Sequence, residues 1–194
     1  MSSEGGRDEK TPSAPGAGVS GALVVVNGWT LLFHPRLIDQ VERLRDTARG
    51  ERTKRPAGAP AGPNTKLLAT LWDQLVREVP EDPSRSAYRQ GNTLGPGFRH
   101  WQRVKFGNGR FRLFFRYHSK SRVIVYAWVN DSETLRTYGS RTEAYAVFRD
   151  MLNSGNPPDA WEELVRASAS ADVIRRARNL IGDPGDLLPT SNTI

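Results

Sequence analysis

The residues of this chain best placed to do chemistry are cations recurring at period two. Trp101–Asn130 reads WQRVKFGNGRFRLFFRYHSKSRVIVYAWVN. Asn108-Gly109 signals a two-residue hairpin, because a type I′ turn needs positive φ at both central residues. That turn sets Lys105 opposite Arg112, Arg103 opposite Phe114 and Val104 opposite Leu113. Side chains alternate across a strand. Arg103, Lys105, Arg110, Arg112 and Arg116 therefore fall on one face. Val104, Phe106, Phe111, Leu113, Phe115 and Tyr117 fall on the other. A second turn at Ser119-Lys120-Ser121 leads into a third strand, Arg122–Asn130. With three residues in that turn, Val123, Val125, Ala127 and Val129 join the apolar face, and Tyr126, Trp128 and Asn130 join the basic one. The pattern predicts a cationic sheet face open to solvent. Its arginines suit phosphates, and Tyr126 and Trp128 offer rings on which unstacked bases can sit. Cross-strand packing is the other use those two rings can have.

Charge placement agrees. The 194-residue chain carries +7, but Pro83–Asn130 alone holds ten Lys or Arg and no Asp or Glu, leaving −3 for the remainder. Cations that local mark a polyanion binder. With no cysteine, disulfides and thiolate chemistry are excluded, in keeping with a reducing cytoplasm. His34, His100 and His118 lack metal-ligand spacing, and no metal or cofactor site is expected. No apolar run reaches the roughly 18 residues of a membrane helix, and the N-terminal residues lack a secretory pattern.

The elements that must position the face follow in order. Residues 1–21 are Gly, Ser, Pro and charge, and should be disordered. A strand is expected at Trp29–Phe33, the preceding valines being an edge strand or a lead-in. Pro35 opens a helix to about Arg49, with Leu37, Val41 and Leu44 at helical spacing. Residues 50–63 read as a mobile Pro/Gly linker. A second helix, Asn64–Val79, takes Asn64 as N-cap. Glu81–His100 is a long polar loop with Arg85, Arg89 and Arg99, expected to take part in binding. Helices follow at about Ser140–Asn153 and Asp159–Ile181. The sum is an α+β domain whose small antiparallel sheet carries helices on one face.

VNGWTLLFHP, NTKLLATL, RQGNTLG, WQRVKFGNGRFRLFFRY, YAWVNDSETLRTYG, TEAYAVFRDML and GNPPDAWEEL resemble the YhaV family of bacterial toxins, within the RelE-like toxin–antitoxin ribonucleases. The resemblance covers about Val26 to Arg166. It implies a RelE-like toxin domain over 22–168, with 169–194 as a C-terminal helix and tail. It implies cleavage of mRNA, free or on the ribosome, that blocks translation. It also implies a PrlF-type antitoxin with an AbrB-like fold, through which operator DNA is bound. Metal-free RNA cleavage needs a base for the 2′-hydroxyl, cations for the phosphorane and an acid for the 5′ oxygen. The superfamily draws these from Lys, Arg and Tyr. Matching gives Lys105 as base, Arg112 as phosphate stabiliser, Arg136 after the last strand, and Tyr145 or Tyr138 as the C-terminal tyrosine. Tyr145 also lies on its helix's apolar stripe, where a core role is open. Arg99, Arg103, Arg110, Arg116, Tyr126, Trp128 and Asn130 are the expected RNA contacts. Without the resemblance, the residues favour a non-catalytic RNA- or DNA-binding module using the same face, and that face can also serve as an antitoxin dock.

Overall fold

The computed structural model describes residues 23–130 and 143–182. A five-stranded sheet has the order β1-β2-β5-β4-β3. β1 (Val24–Val26) and β2 (Trp29–Phe33) form one hairpin. β3 (Gln102–Phe106), β4 (Phe111–His118) and β5 (Val123–Val129) form an antiparallel meander. β2 joins β5 in parallel, so the sheet is mixed, a correction to the purely antiparallel expectation. The chain between β2 and β3 is long enough for the crossover that parallel pairing demands.

Both hairpins turn on Asn-Gly. Asn108 and Gly109 have φ of 56° and 73°, and Asn27 and Gly28 have 49° and 74°, a left-handed geometry those residues accept. The Asn27-Gly28 turn makes the valine run an edge strand. The β3–β4 register matches expectation, with Lys105 opposite Arg112.

β5 departs from it. His118 pairs with Val123, so the loop has four residues, not three. One added residue inverts the strand's parity, which sends Tyr126 to the apolar face and Val125 to the other. A β-bulge then restores the parity. Phe115 pairs with Tyr126 but Phe114 with Trp128, leaving Ala127 as the extra residue. Trp128 thus stays on the face of Phe114, and Val129 on the face of Leu113.

Helices cover both faces. On the first lie α1 (Pro35–Thr53) and α2 (Pro63–Asp73), the latter continued by a π-helical stretch, Gln74–Glu78, and a last turn, Val79–Glu81. Leu37, Ile38, Leu71 and Leu75 there meet Leu113, Phe115 and Ile124, all essentially inaccessible. Gln40 of α1 ties this layer to β5, donating to the Val129 carbonyl at 2.6 Å and accepting from its N–H at 3.2 Å. On the second face lie α3 (Glu143–Asn153) and α4 (Trp161–Ser168). Phe148 of α3 stacks on Phe114 at 4.2 Å and on Trp128 at 5.7 Å between ring centroids. Leu94, Trp101 and Leu164 complete this second core. The expected open face is therefore corrected. Phe114, Val125, Ala127 and Trp128 make its middle apolar, and burying such area stabilises by about 25 cal/mol per Å².

The helix expected over Asp159–Ile181 is two. α4 ends at Ser168, and Ser170 caps α5 (Ala171–Ile181) by accepting from the Val173 N–H. Val173, Ile174, Ala177 and Leu180 are buried, so α5 is part of the packed body. Arg176 fastens it to α1, 2.6 Å from both Asp39 and Glu42. α1 runs four residues past its expected end. Its Glu51 accepts from the Asn64 and Thr65 N–H groups, so the α2 terminus is satisfied from a neighbouring helix. The N-cap position is Gly62, not Asn64. Among the described residues no helix is long and apolar enough to cross a membrane.

Candidate nucleic-acid interface and active site

Tyr145 is the centre of the cation cluster. It enters from α3, where its helical spacing from Phe148 turns both rings toward the sheet. Its ring meets Phe114 edge-on at 5.7 Å, and the Arg112 guanidinium lies 5.3 Å from its centroid. Its hydroxyl accepts a 2.7 Å hydrogen bond from Arg103 Nε, while Arg103 Nη1 donates to the Ala87 carbonyl at 2.8 Å. Arg112 Nη1 donates to the Gly109 and Arg110 carbonyls at 3.1 and 3.4 Å. The Arg112 Nε–H is buried without a hydrogen-bond partner. Such a group costs about 1–3 kcal/mol, and in a native protein it calls for an explanation such as a ligand. Lys105 and Arg110 complete the group. Both are exposed, Lys105 on the outermost named strand β3 across from Arg112 and Arg110 at the hairpin.

Asn130 organises this end of the sheet from within. It is fully buried. Its side-chain oxygen accepts from the Arg112 backbone N–H, and its amide donates to the Arg110 carbonyl at 3.1 Å. The expectation that Asn130 touches RNA is corrected: it is buried and holds the backbone of Arg110 and Arg112.

Other expected contacts move as well. Arg112 is only 5% exposed, because Tyr145 and α3 cover the face that was expected to be open. Tyr126 is fully buried on the opposite face. Its hydroxyl donates to the Leu75 carbonyl at 2.7 Å, and burial pushes it well above the ordinary tyrosine range. Trp128, 5% exposed, stacks between Phe114 and Phe148. Both rings pack the sheet instead of offering faces to bases. Arg99 is exposed and donates to Asn92 at 2.6 Å. Its loop is anchored by buried Gln90, which accepts from the Leu94 N–H at 3.0 Å and donates to the Phe98 carbonyl at 2.9 Å. Arg136 and Tyr138 lie outside the described residues.

Arg116 sits further along β4 in a separate cluster. Its guanidinium lies 5.7 Å from the Trp101 ring and 5.4 Å from Trp161, and Nη1 donates to the Asp159 carbonyl. Burial lowers its proton affinity, opposed by Asp159 and Glu162. Asp159 Oδ1 accepts from Trp101 Nε1 and lies within hydrogen-bond distance of His100 Nε2, both at 2.7 Å. Trp101, Trp161 and Asp159 carried no signal in the sequence, since nothing there shows residues 101 and 161 meeting across β4. His34 is the N-cap of α1, its Nδ1 accepting from Arg36 N, and burial, helped by Arg36, lowers its pKa to about 4. Among the described residues, no group of three or more His, Cys, Asp or Glu could hold a metal.

The cluster thus presents two exposed cations beside two arginines held on a tyrosine. It can bind a phosphodiester, spread charge from it and offer a hydroxyl proton. A family described as a toxin with endonuclease activity, of a toxin–antitoxin system, matches residues 31–169. The chain is 44% identical over 142 residues to a protein of Escherichia coli K12 named ribonuclease toxin YhaV, spanning 73% of this chain and 92% of that protein. It is equally similar to a protein of Escherichia coli O157:H7 named toxin YhaV. No solved structure gives a significant match. By both the family match and this degree of identity, the chain belongs to the YhaV toxin family.

Proposed function

We propose that this protein is the toxin of a type II toxin–antitoxin pair, an endoribonuclease that cuts mRNA and stops translation. The observation that carries this reading is the Tyr145 hub, which joins Arg103 and Arg112 beside exposed Lys105 and Arg110. In the step we assign, the 2′-hydroxyl attacks the adjacent phosphorus, forming O2′–P and breaking P–O5′. The 2′ proton goes to the Lys105 amine. Arg112, with its unpaired Nε–H, and Arg110 stabilise the phosphorane charge. Tyr145, whose oxygen already accepts from Arg103, gives its hydroxyl hydrogen to the leaving 5′ oxygen. The products are a 2′,3′-cyclic phosphate and a 5′-hydroxyl end. Side chains supply all the charge, so the reaction needs no metal. Arg99 and Arg103 position the RNA backbone, and Arg136 and Tyr138 remain proposed members of the site.

In this reading the toxin domain has a RelE-like fold, and the protein works in the cytoplasm. A PrlF-type antitoxin neutralises it and carries any contact with operator DNA. The test is induced expression with and without that antitoxin, with mapping of RNA 5′ ends. Growth arrest with new 5′-hydroxyl ends, both abolished by the antitoxin, is expected. Arrest without new ends would favour a binding module that blocks translation by occupancy.

A further inference from the structure

β1 is the outer strand of the sheet, with no strand beyond it among the described residues. In a two-residue hairpin the residues flanking the turn, here Val26 and Trp29, exchange hydrogen bonds, so alternate residues face the other way. The Val25 N–H and carbonyl therefore point away from the sheet. An edge of this kind is a template for another strand, and proteins usually guard it with Lys, Pro or a bulge. β1 has none of these: it reads Val-Val-Val. Leu23 and Val25, 44% and 59% exposed, are the large apolar side chains left most open among the described residues. Beside this edge α5 forms a groove of about 390 Å³ lined by Leu23, Val24, Arg175, Arg178, Asn179 and Ile181. The edge thus leaves Leu23 and Val25 open, and the groove beside it, lined by Leu23 and Val24, adds Arg175 and Arg178. This surface is built from β1 and α5, both outside the 31–169 stretch that matches the family.

We propose that this surface is the cognate antitoxin's docking site, and that it takes an extended acidic segment as a sixth strand on β1. The assignment rests on the toxin–antitoxin reading above and says where the partner binds. Backbone hydrogen bonds to Val25 supply affinity, alternate apolar side chains cover Leu23 and Val25, and carboxylates meet Arg178 and Arg175, the latter exposed and exchanging its ion pair with Asp172 for the partner's. Charge complementarity selects an acidic partner, since the edge itself is uncharged and the groove basic. The cation cluster lies on β3 and β4, at the other end of the sheet. Docking here leaves the catalytic residues untouched, and placement outside the shared family stretch lets one toxin distinguish its own antitoxin from a relative's.

The experiment measures binding of the purified antitoxin, the product of the reading frame paired with this gene, to four full-length toxins. These are wild type, V25P, V25T and the double variant R175E/R178E. Proline removes only an outward N–H, a substitution edge strands tolerate. V25P and R175E/R178E should each raise Kd at least about tenfold, the loss of one good contact. V25T should bind like wild type. All four should cleave RNA at the same rate, which shows that they fold. Unchanged binding of V25P and R175E/R178E by cleavage-competent protein would overturn the docking site while leaving the ribonuclease reading intact. A shift of V25P from dimer to monomer without change in antitoxin affinity would assign the edge to a second copy of the chain and also overturn it. Wild type that neither cleaves RNA nor binds the antitoxin would overturn both.

Discussion

Replacing Tyr145 by Phe removes one oxygen from the centre of the proposed site and little else. The ring keeps its contacts with Phe114 at 5.7 Å and the Arg112 guanidinium at 5.3 Å. What is lost is the 2.7 Å hydrogen bond from Arg103 Nε. Arg103 is half-buried and keeps its bond to Ala87, so water can replace the missing acceptor. The stability cost should be near that of an ordinary hydrogen bond, about 0.5–1.5 kcal/mol. For a domain of this size that is a fall in Tm of about 2–4 °C per kcal/mol. The rate should suffer far more. A positioned proton donor contributes about 10²–10⁴-fold, and no other hydroxyl is bonded to Arg103 among the described residues. The assay is single-turnover cleavage of a short end-labelled RNA at saturating protein, alongside a melting curve. A folded variant slowed at least about 100-fold is expected. A slowdown within about tenfold would show that Tyr145 only holds the arginines. An unchanged rate would remove it from the site altogether.

Three further outcomes follow from the geometry. RNA affinity should fall steeply with salt, and Lys105→Ala or Arg110→Ala should each lessen the slope of log K against log[salt] by about 0.7; filter binding between 50 and 200 mM salt measures it. Folding stability should fall with acid through His34, whose pKa is near 4 in the fold against 6.5 when exposed. The unfolded chain then binds a proton that the native one excludes. The stabilisation is full above pH 6.5, declines as pH falls toward 4, and amounts to about 3 kcal/mol. Urea titrations at pH 7, 5.5 and 4 should show this decline in the wild type and a weaker one in His34→Asn. Phe148→Ala should cost about 3–5 kcal/mol, because the ring is fully buried and stacked on both Phe114 and Trp128; a denaturant midpoint reads it.

Local signals told the truth wherever local physics decided the structure. Asn108-Gly109 set the β3–β4 register, and with it the pairing of Lys105 and Arg112. Pro35 opened α1. The same Asn-Gly signal at 27–28 decides between the two expected roles of the valine run and makes it the edge strand β1. β5 departs from simple alternation because two one-residue irregularities, the four-residue loop and the bulge at Ala127, lie close together. Each alone inverts the faces. Together they cancel at Trp128 but not at Tyr126, and alternation in the sequence cannot reveal a cancelled pair. The second core was hidden for another reason. Phe114 and Trp128 share a face with five cations, so period two labels that face basic. Only the arrival of Phe148 and Tyr145 from α3, a tertiary event, shows that its middle is dry. The sequence allows Tyr145 either a core or a catalytic role. In the structure its ring belongs to the core and its hydroxyl to the cluster, and the two descriptions are compatible.

The central claim is that the cations around Tyr145 cleave RNA, and single-turnover cleavage by Arg112→Ala and Lys105→Ala tests it most directly. Lys105 is exposed, so its variant should melt like the wild type, while Arg112→Ala should lose about 1–3 kcal/mol through the Gly109 carbonyl, the Arg110 carbonyl keeping its bond from Asn130, and remain folded. With an RNA of defined sequence, in the presence of a metal chelator, wild type should cut to a 2′,3′-cyclic phosphate. The account predicts that Arg112→Ala, at matched folded concentration, cuts about 10²–10³-fold more slowly, with Lys105→Ala comparably slow. Wild-type rates from both variants would contradict it and leave the cluster a surface for binding alone.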